Sequence, residues 1–334
     1  MATAQKKTPA KPRTRMKRFF QSYGFRRSWQ SALTVFLVLF FVFVLLRLMP
    51  IEGYFTRQDY EIMTEAQRAD YLEENGITGN PVVLFFRFLG NLFRGDLGMS
   101  FRIQPNVEIT RILSEKIPYS LMFGIASMGI SLFFGFALGM AMAHYKDRLV
   151  DGAGTLYVVV VRAVPSLIYL FLIQIWVTGF FNIPMTYSSK DPSTWFLPVI
   201  SLSLASIAWY AIWLRRFMVD EENKDYVKFA KAKGVPQKRI ISGHVLRNAL
   251  VPLAQYIPLQ LLLTISGSLI IESIYSIPGM GGLLIEAIKE KDNGLVQSLV
   301  MLFSVLGVLG VYLGDMLMLL VDPRIKLAGK TDGE

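Results

Sequence analysis

From Ile117 to Ala143 the chain carries no charged side chain. Crossing the hydrocarbon of a bilayer takes about 20 helical residues, so this run is long enough to span. Five further stretches are of the same kind: Trp29 to Met49, Gly152 to Phe181, Trp195 to Leu214, Ala249 to Ile274 and Leu295 to Val321. Only one charge, Arg162, stands inside the Gly152 to Phe181 run. Charged residues make up 18% of the chain against 53% hydrophobic, where soluble domains average about 25% charged, and they are gathered between the apolar runs. Lipid is therefore the expected solvent for much of the chain. An open strand in lipid would leave backbone groups unpaired. The expectation is an all-α integral membrane protein with six transmembrane helices.

The basic residues set an expected orientation. Residues 1–28 hold Lys6, Lys7, Lys11, Arg13, Arg15, Lys17, Arg18, Arg26 and Arg27 with no acidic residue. Nine more basic groups fall between Arg215 and Arg247, whereas Pro50 to Glu115 has six Arg, no Lys and ten acidic residues. The positive-inside rule puts both termini and the 215–248 loop in the cytoplasm and 50–115 outside. The expected organisation is a basic cytoplasmic tail over 1–27, a membrane domain over 28–326 and a short cytoplasmic tail over 327–334. The long basic leader, with no small-residue cleavage site after the first span, reads as a retained anchor.

Several functions are excluded at this stage. The chain has no cysteine, and its two histidines, His144 and His244, offer no metal-ligand spacing. No G-x-x-x-x-G-K-[ST] loop is present to cradle a nucleotide, and no Ser/His or Ser/Lys arrangement stands in one span. The net charge of +10 is accounted for by the orientation signal and does not imply nucleic acid. No catalytic residue, metal site or cofactor is expected.

In the outer segment, Val82 to Phe93 is apolar but too short to cross, with Arg87, Asn91 and Arg94 on one helical face. That pattern suits an interfacial helix. Glu73, Glu74 and Asn75 ahead of Gly76 mark a turn, and the remainder reads as either a small lid or a solvated loop. Gly135, Gly139 and Ala143, like Gly310 and Gly314, recur every four residues, a spacing that lets helices approach closely. Arg47, beside Pro50, reads as an interface anchor, and Asp315 as a gate or structural pair.

The inner loop is the most informative segment. Asp220 or Asn223 can cap a helix start. Tyr226, Phe229 and Ala230 recur at three and four residues among lysines, Gly234 suits the position after a helix end, and Pro236 stops continuation. A helix from about Asn223 to Gly234 would project into the cytoplasm with an apolar stripe and nothing of its own to bury it against. Docking to a protein and contact with anionic lipid heads fit this pattern equally. A second helical pattern, Lys238 to Asn248, leads back to the membrane.

Asp225-Tyr226-Val227, Ala230-Lys231-Ala232-Lys233-Gly234 and His244-x-Leu246-Arg247-Asn248-Ala249-Leu250-x-Pro252 together resemble the cytoplasmic "EAA" loop of ABC importer permeases. The resemblance is closest to the oligopeptide/dipeptide/nickel branch, and to its first, B-type permease. Arg94-Gly95-Asp96-Leu97-Gly98-x-Ser100, Pro165-Ser166, Leu197-Pro198, Glu272 with Pro278-Gly279-x-Gly281, and Asp315 with Asp322-Pro323-Arg324 extend it over nearly all of residues 28–326. The chain departs from the pattern at Lys228 and Phe229, where glutamate and alanine are usual, and at Pro50-Ile51-Glu52-Gly53, where a Pro-Gly-Asp-Pro turn is usual. Residues 54–80 match no signature.

The resemblance implies a type I ABC importer permease fold and a coupling helix seated on an ATPase subunit. Tyr226, Phe229, Ala230 and Gly234 would make or position the contact, with Asp225, Lys231, Ala232, Lys233 and His244 in the same loop, and Arg247 and Asn248 would tie the loop to the helix ends. Arg162, Glu272, Pro278 and Gly279 are candidates for a pathway or gate. Implied partners are a second homologous permease, two ATP-binding-cassette ATPase subunits that bind ATP and magnesium, an extracytoplasmic solute-binding protein, and membrane lipid. The implied location is the bacterial cell membrane, and the implied cargo is peptide, with nickel second. An ATP-independent transporter or channel would need intramembrane relays or internal repeats, which are not evident. A membrane scaffold would leave the inner helix unexplained.

Overall fold

The computed structural model describes residues 23–321. Most of the expected N-terminal tail, the Asp322-Pro323-Arg324 segment and the tail over 327–334 lie outside them. Five helical segments are long and apolar enough to cross a membrane: Arg26–Leu46 within α1 (Tyr23–Leu46), α5 (Ile109–His144), α8 (Ser193–Glu222), Tyr256–Ile274, and Asn293–Met318 within α15 (Asn293–Val321). A sixth crossing is reached by taking α6 (Leu149–Ala163) and α7 (Ser166–Phe181) together, and this pair is bent by 106°. The straight third span expected over Gly152 to Phe181 is thus broken. Pro165 is the cause: it disfavours helical backbone at the residue before it, and Val164 is extended at φ −82, ψ 129.

The fifth span is broken as well. It runs as α11 (Leu246–Ala254), α12 (Tyr256–Ser266) and α13 (Leu269–Ile274), with a π-turn over Ile241–Val245 ahead of it. Gly267, at φ +70, ends α12, a conformation that side chains with a Cβ rarely adopt. After α13 the chain turns and re-enters as α14 (Met280–Lys289).

Small residues set the helix contacts. A Cβ at Gly135 would stand 2.7 Å from Tyr210 Cβ, and one at Gly139 would stand 2.7 Å from the Ala211 carbonyl oxygen. Substituents there would push α5 off α8. Gly310 makes the matching close approach of α15 to Leu259 of α12, and Gly314 to Gln255. The four-residue spacing in the sequence therefore marks two helix seams.

On the 50–115 side, a 3₁₀ turn (Ile51–Tyr54), α2 (Arg57–Ile62), α3 (Glu65–Glu74) and α4 (Pro81–Phe93) precede a short antiparallel hairpin, β1 (Met99–Ser100) and β2 (Val107–Glu108). Thr64 and Gln67 form a capping box at the start of α3. Tyr54, Phe55 and Leu72 make a small core of their own, so residues 54–80 are folded. The apolar helix expected over Val82 to Phe93 is α4, which lays Phe85 against Phe36, Phe40 and Phe43 of α1 at centroid separations of 5.2–5.6 Å.

Asp292 pins this assembly to the bundle. Its Oδ2 accepts from the Ser100 hydroxyl at 2.5 Å and from the backbone N–H groups of Phe101, Arg102 and Ile103 at 3.0–3.2 Å. Its Oδ1 accepts from Leu295 N–H at 3.1 Å in the first turn of α15. The carboxylate is fully buried, and five donors replace the water it has lost.

Candidate coupling site

At the opposite end of the bundle, α8 continues through Glu222, eight residues past the Leu214 limit read from the sequence. Asp220 lies inside α8, and Asn223 closes α8 where a helix start was expected. The short helix that follows is α9 (Asp225–Ala232), with Lys224 ahead of it supplying no side-chain cap. Its far end is a Schellman turn: Val235 N–H donates to the Ala230 carbonyl at 3.1 Å and Gly234 N–H to that of Lys231 at 3.0 Å. Gly234 takes the left-handed conformation at φ +75 that this turn requires.

One face of α9 is buried. Val227 is completely enclosed and packs with Leu214 and Met218 of α8, Ile240 of α10 (Gln237–Ile240), Val245 and Leu253. Ala230 and Val235 border the same cluster. The expectation that α9 has nothing of its own to bury against is therefore corrected. The stripe read from Tyr226, Phe229 and Ala230 missed Val227, the residue that faces inward, because at eight residues the helix is too short for periodicity to separate its faces.

Tyr226 fixes the rotation of α9. Its hydroxyl donates to Glu221 Oε2 at 2.5 Å and accepts from Asn248 Nδ2 at 3.0 Å, joining the ends of α8, α9 and α11. Burial pushes the Tyr226 phenol upward, and the bond to the Glu221 carboxylate adds to this. Glu221 also pairs with Lys224. His244 stands edge-on to Tyr226 at 6.5 Å between centroids. Asn248 thus ties the loop to the helix ends, whereas Arg247 is exposed and its side chain makes no hydrogen bond among the described residues.

The other face of α9 is open. Phe229 is 62% exposed, with the Lys233 ammonium 4.4 Å from its ring centre. Lys228 pairs with Asp225 at 2.9 Å, and Lys231 and Ala232 are exposed beside them. A rigid element clamped to two long helices thus presents an aromatic side chain ringed by lysines, a surface suited to receive a partner and pass its displacement to the spans.

The candidate gate residues lie elsewhere: Glu272, Pro278 and Gly279 are gathered at one turn, and Arg162 stands apart from them. Glu272 of α13 is buried, and its Oε2 accepts from Gly281 and Gly282 N–H at 2.7 and 3.0 Å. Ser120 of α5 donates to Glu272 Oε1 at 2.8 Å and accepts from Met280 N–H at 2.8 Å. Glu272 and Ser120 together satisfy the three free N–H groups that open α14, where the helix dipole favours a negative charge. Gly279 is close-packed on the carboxylate, and Pro278 leads into it. Arg162, in the last turn of α6, is exposed and has no ion pair among the described residues.

Three polar groups escaped the sequence reading. Asp151 receives Arg215 in a two-pronged ion pair at 2.5 and 2.6 Å, binding α6 to α8. Both stand just beyond the apolar runs, and a pair so far apart in sequence has no local signal. Asp292, just ahead of the apolar start of α15, did carry one, since an acidic residue there marks a helix beginning. Ser120 carried none. Asp315, read as gate or structural pair, accepts from Arg27 Nε at 2.5 Å and Gln255 Nε2 at 2.7 Å. Among the described residues, no group of three or more His, Cys, Asp or Glu side chains is placed to hold a metal ion.

Comparison with known proteins places this architecture. The profile of the "binding-protein-dependent transport system inner membrane component" family matches residues 135–327, which contain α9 and the re-entrant turn. The dipeptide transport system permease protein DppB of Bacillus subtilis is 29% identical over 311 residues, covering 92% of this chain and 99% of that protein. A probable peptide ABC transporter permease protein of Sinorhizobium fredii is 30% identical over 323 residues, covering 91% and 99%. The oligopeptide transport system permease protein AmiC of Streptococcus pneumoniae is 32% identical over 219 residues, and the match spans 65% of this chain but 44% of AmiC. The chain is a multi-pass membrane protein belonging to the family of binding-protein-dependent transport system inner membrane components.

Proposed function

We propose that this chain is one permease subunit of an ATP-driven peptide importer and that α9 is its coupling helix. In this reading α9 and both termini face the cytoplasm, and residues 50–115 face outward. A second homologous permease completes the path, two ATP-binding-cassette ATPases bind and hydrolyse ATP, and an external binding protein delivers cargo. The permease itself is not catalytic. The peptide assignment is supported by the names of the relatives, among them DppB, matched over 99% of its length. The coupling assignment is carried by one observation: α9 is clamped on its Val227 face and open on its Phe229 face.

A docked rigid helix transmits the difference between two ATPase geometries to whatever it is fixed to. Here it is fixed to α8 by Tyr226–Glu221 and to α11 by Tyr226–Asn248, so ATPase closure would move two spans together. The chain has no cysteine, so Phe229→Cys gives a single thiol on the open face. Maleimide labelling of that thiol should be fast on the permease alone and blocked when the ATPases are bound. Equal labelling in both states would refute the assignment.

A further inference from the structure

A polar cavity of about 410 Å³ lies on the 50–115 side, between the end of α1, the α3–α4 turn and the start of α15. Arg47, Tyr54, Tyr71, Arg87, Asp96 and Gln297 are among its lining residues. Two guanidinium groups converge there on one turn. Arg47 Nη1 donates to the Ile77 carbonyl at 2.7 Å, and Arg87 Nη1 lies 2.7 Å from where a Cβ on Gly76 would stand. Neither arginine is ion-paired among the described residues. Asp96, the one acidic lining residue, instead accepts from Gly98 N–H at 2.9 Å.

The cavity also holds unspent hydrogen-bonding capacity. Tyr54 is 5% exposed and its hydroxyl has no partner, and Arg47 Nε is likewise buried without one. Burial pushes the Tyr54 phenol upward, against the pull of the Arg47 charge, so it stays a donor. Buried donors left unused are costly without an acceptor. A tetrahedral oxyanion supplies the charge and the lone pairs that this set lacks, and arginine forks match its geometry.

The position of the cavity says where such an anion comes from. Arg47 directly follows the apolar span that ends at Leu46, with its guanidinium over the Phe43 ring at 4.6 Å. Leu84, Arg87, Phe88 and Asn91 are the α4 part of the lining, and beside it α4 exposes Val82, Val83 and Phe86, which suits acyl chains at the depth where headgroups begin. We propose that this cavity is a phospholipid headgroup site, in which Arg47, Arg87 and Tyr54 hold the phosphate while the acyl chains lie along α4 and α1. Bound lipid would stake the external helices to the membrane edge.

The test is native mass spectrometry of the full chain released from nanodiscs of phosphatidylglycerol and phosphatidylcholine. One phospholipid should remain on the native protein. Arg47→Gln should lower its retention at least about tenfold, as for one lost charged hydrogen bond. Tyr54→Phe, which keeps the ring packing, should lower it in the same direction. Arg94→Gln, outside the cavity lining, should not. Equal retention in all four proteins would overturn the proposal. So would displacement of the lipid by inorganic phosphate, which would make free phosphate the ligand, or by a short peptide, which would make the cavity a cargo site.

Discussion

The Tyr226 hydroxyl stands 2.5 Å from Glu221 Oε2 and 3.0 Å from Asn248 Nδ2, so one phenol joins the helix entering the loop to the helix leaving it. Val227, the next residue, is fully enclosed. Two adjacent side chains therefore hold α9 by different means, one polar and at the surface, the other apolar and buried. The open face of the helix is left free of structural duty.

Separating the two faces is the first expected outcome. Val227→Ala removes apolar volume from a closed site and should destabilise the docking of α9 by about 2 kcal/mol. Amide hydrogen exchange over 225–232 should accelerate accordingly. Phe229→Ala should leave that exchange unchanged and weaken ATPase association by roughly 2 kcal/mol, as for an aromatic anchor at an interface.

The phenol carries a pH dependence. Its pKa is raised in the folded loop, so its contribution is complete below the ordinary phenol value of 10.0 and is lost as pH rises through the folded value. Protection over 225–232, taken relative to the base-catalysed intrinsic exchange rate, should therefore stay level between pH 7 and 9 and fall on the alkaline side of that value. Tyr226→Phe should abolish the alkaline step and show faster exchange at neutral pH.

Much of this was legible in the sequence. The charge-free run through Ile117–Ala143 and the spacing of Gly135 and Gly139 reflect demands that act locally, on hydrophobic length and on helix approach. Gly234 was legible for the same reason, since only its own backbone angle is at stake. The break at Pro165 was written in the chain but overridden by the length of the apolar run around it. Asp151–Arg215 and Asp292–Ser100 were not legible, because nothing in one partner's neighbourhood encodes the other. Asp292 shows the limit well: Ser100 stood out as part of a motif, yet the group that explains it lies 192 residues away.

That bond leads to a third expectation. Asp292→Asn keeps the size but loses the charge shared among the donors at residues 100–103, while Asp292→Ala leaves several buried donors unpaired. The alanine variant should cost roughly 3 kcal/mol or more and the asparagine variant about half of that. Limited proteolysis should show the 100–107 hairpin cut first in both, with α9 still protected.

The re-entrant turn offers a fourth. Glu272→Gln replaces one of the two carboxylate oxygens that accept from Ser120, Gly281 and Gly282 with an amide donor and should destabilise the start of α14 by about 1–2 kcal/mol. Gly279→Ala should be worse, because its Cβ would overlap the Glu272 carboxylate, which Ser120, Gly281 and Gly282 hold in place. Thermal unfolding in detergent ranks the two. A Gly279→Ala protein as stable as the native one would contradict this packing.

The central claim is that α9 borrows its motion from a separate ATPase, and uptake of a labelled peptide into sealed vesicles tests it most directly. Vesicles holding both permeases, the ATPases and the binding protein should accumulate peptide only with ATP. Phe229→Asp should cut the rate at least about tenfold, as for the loss of an interface anchor. Accumulation at the full rate with the ATPases left out, or with Phe229→Asp in place, would contradict the account.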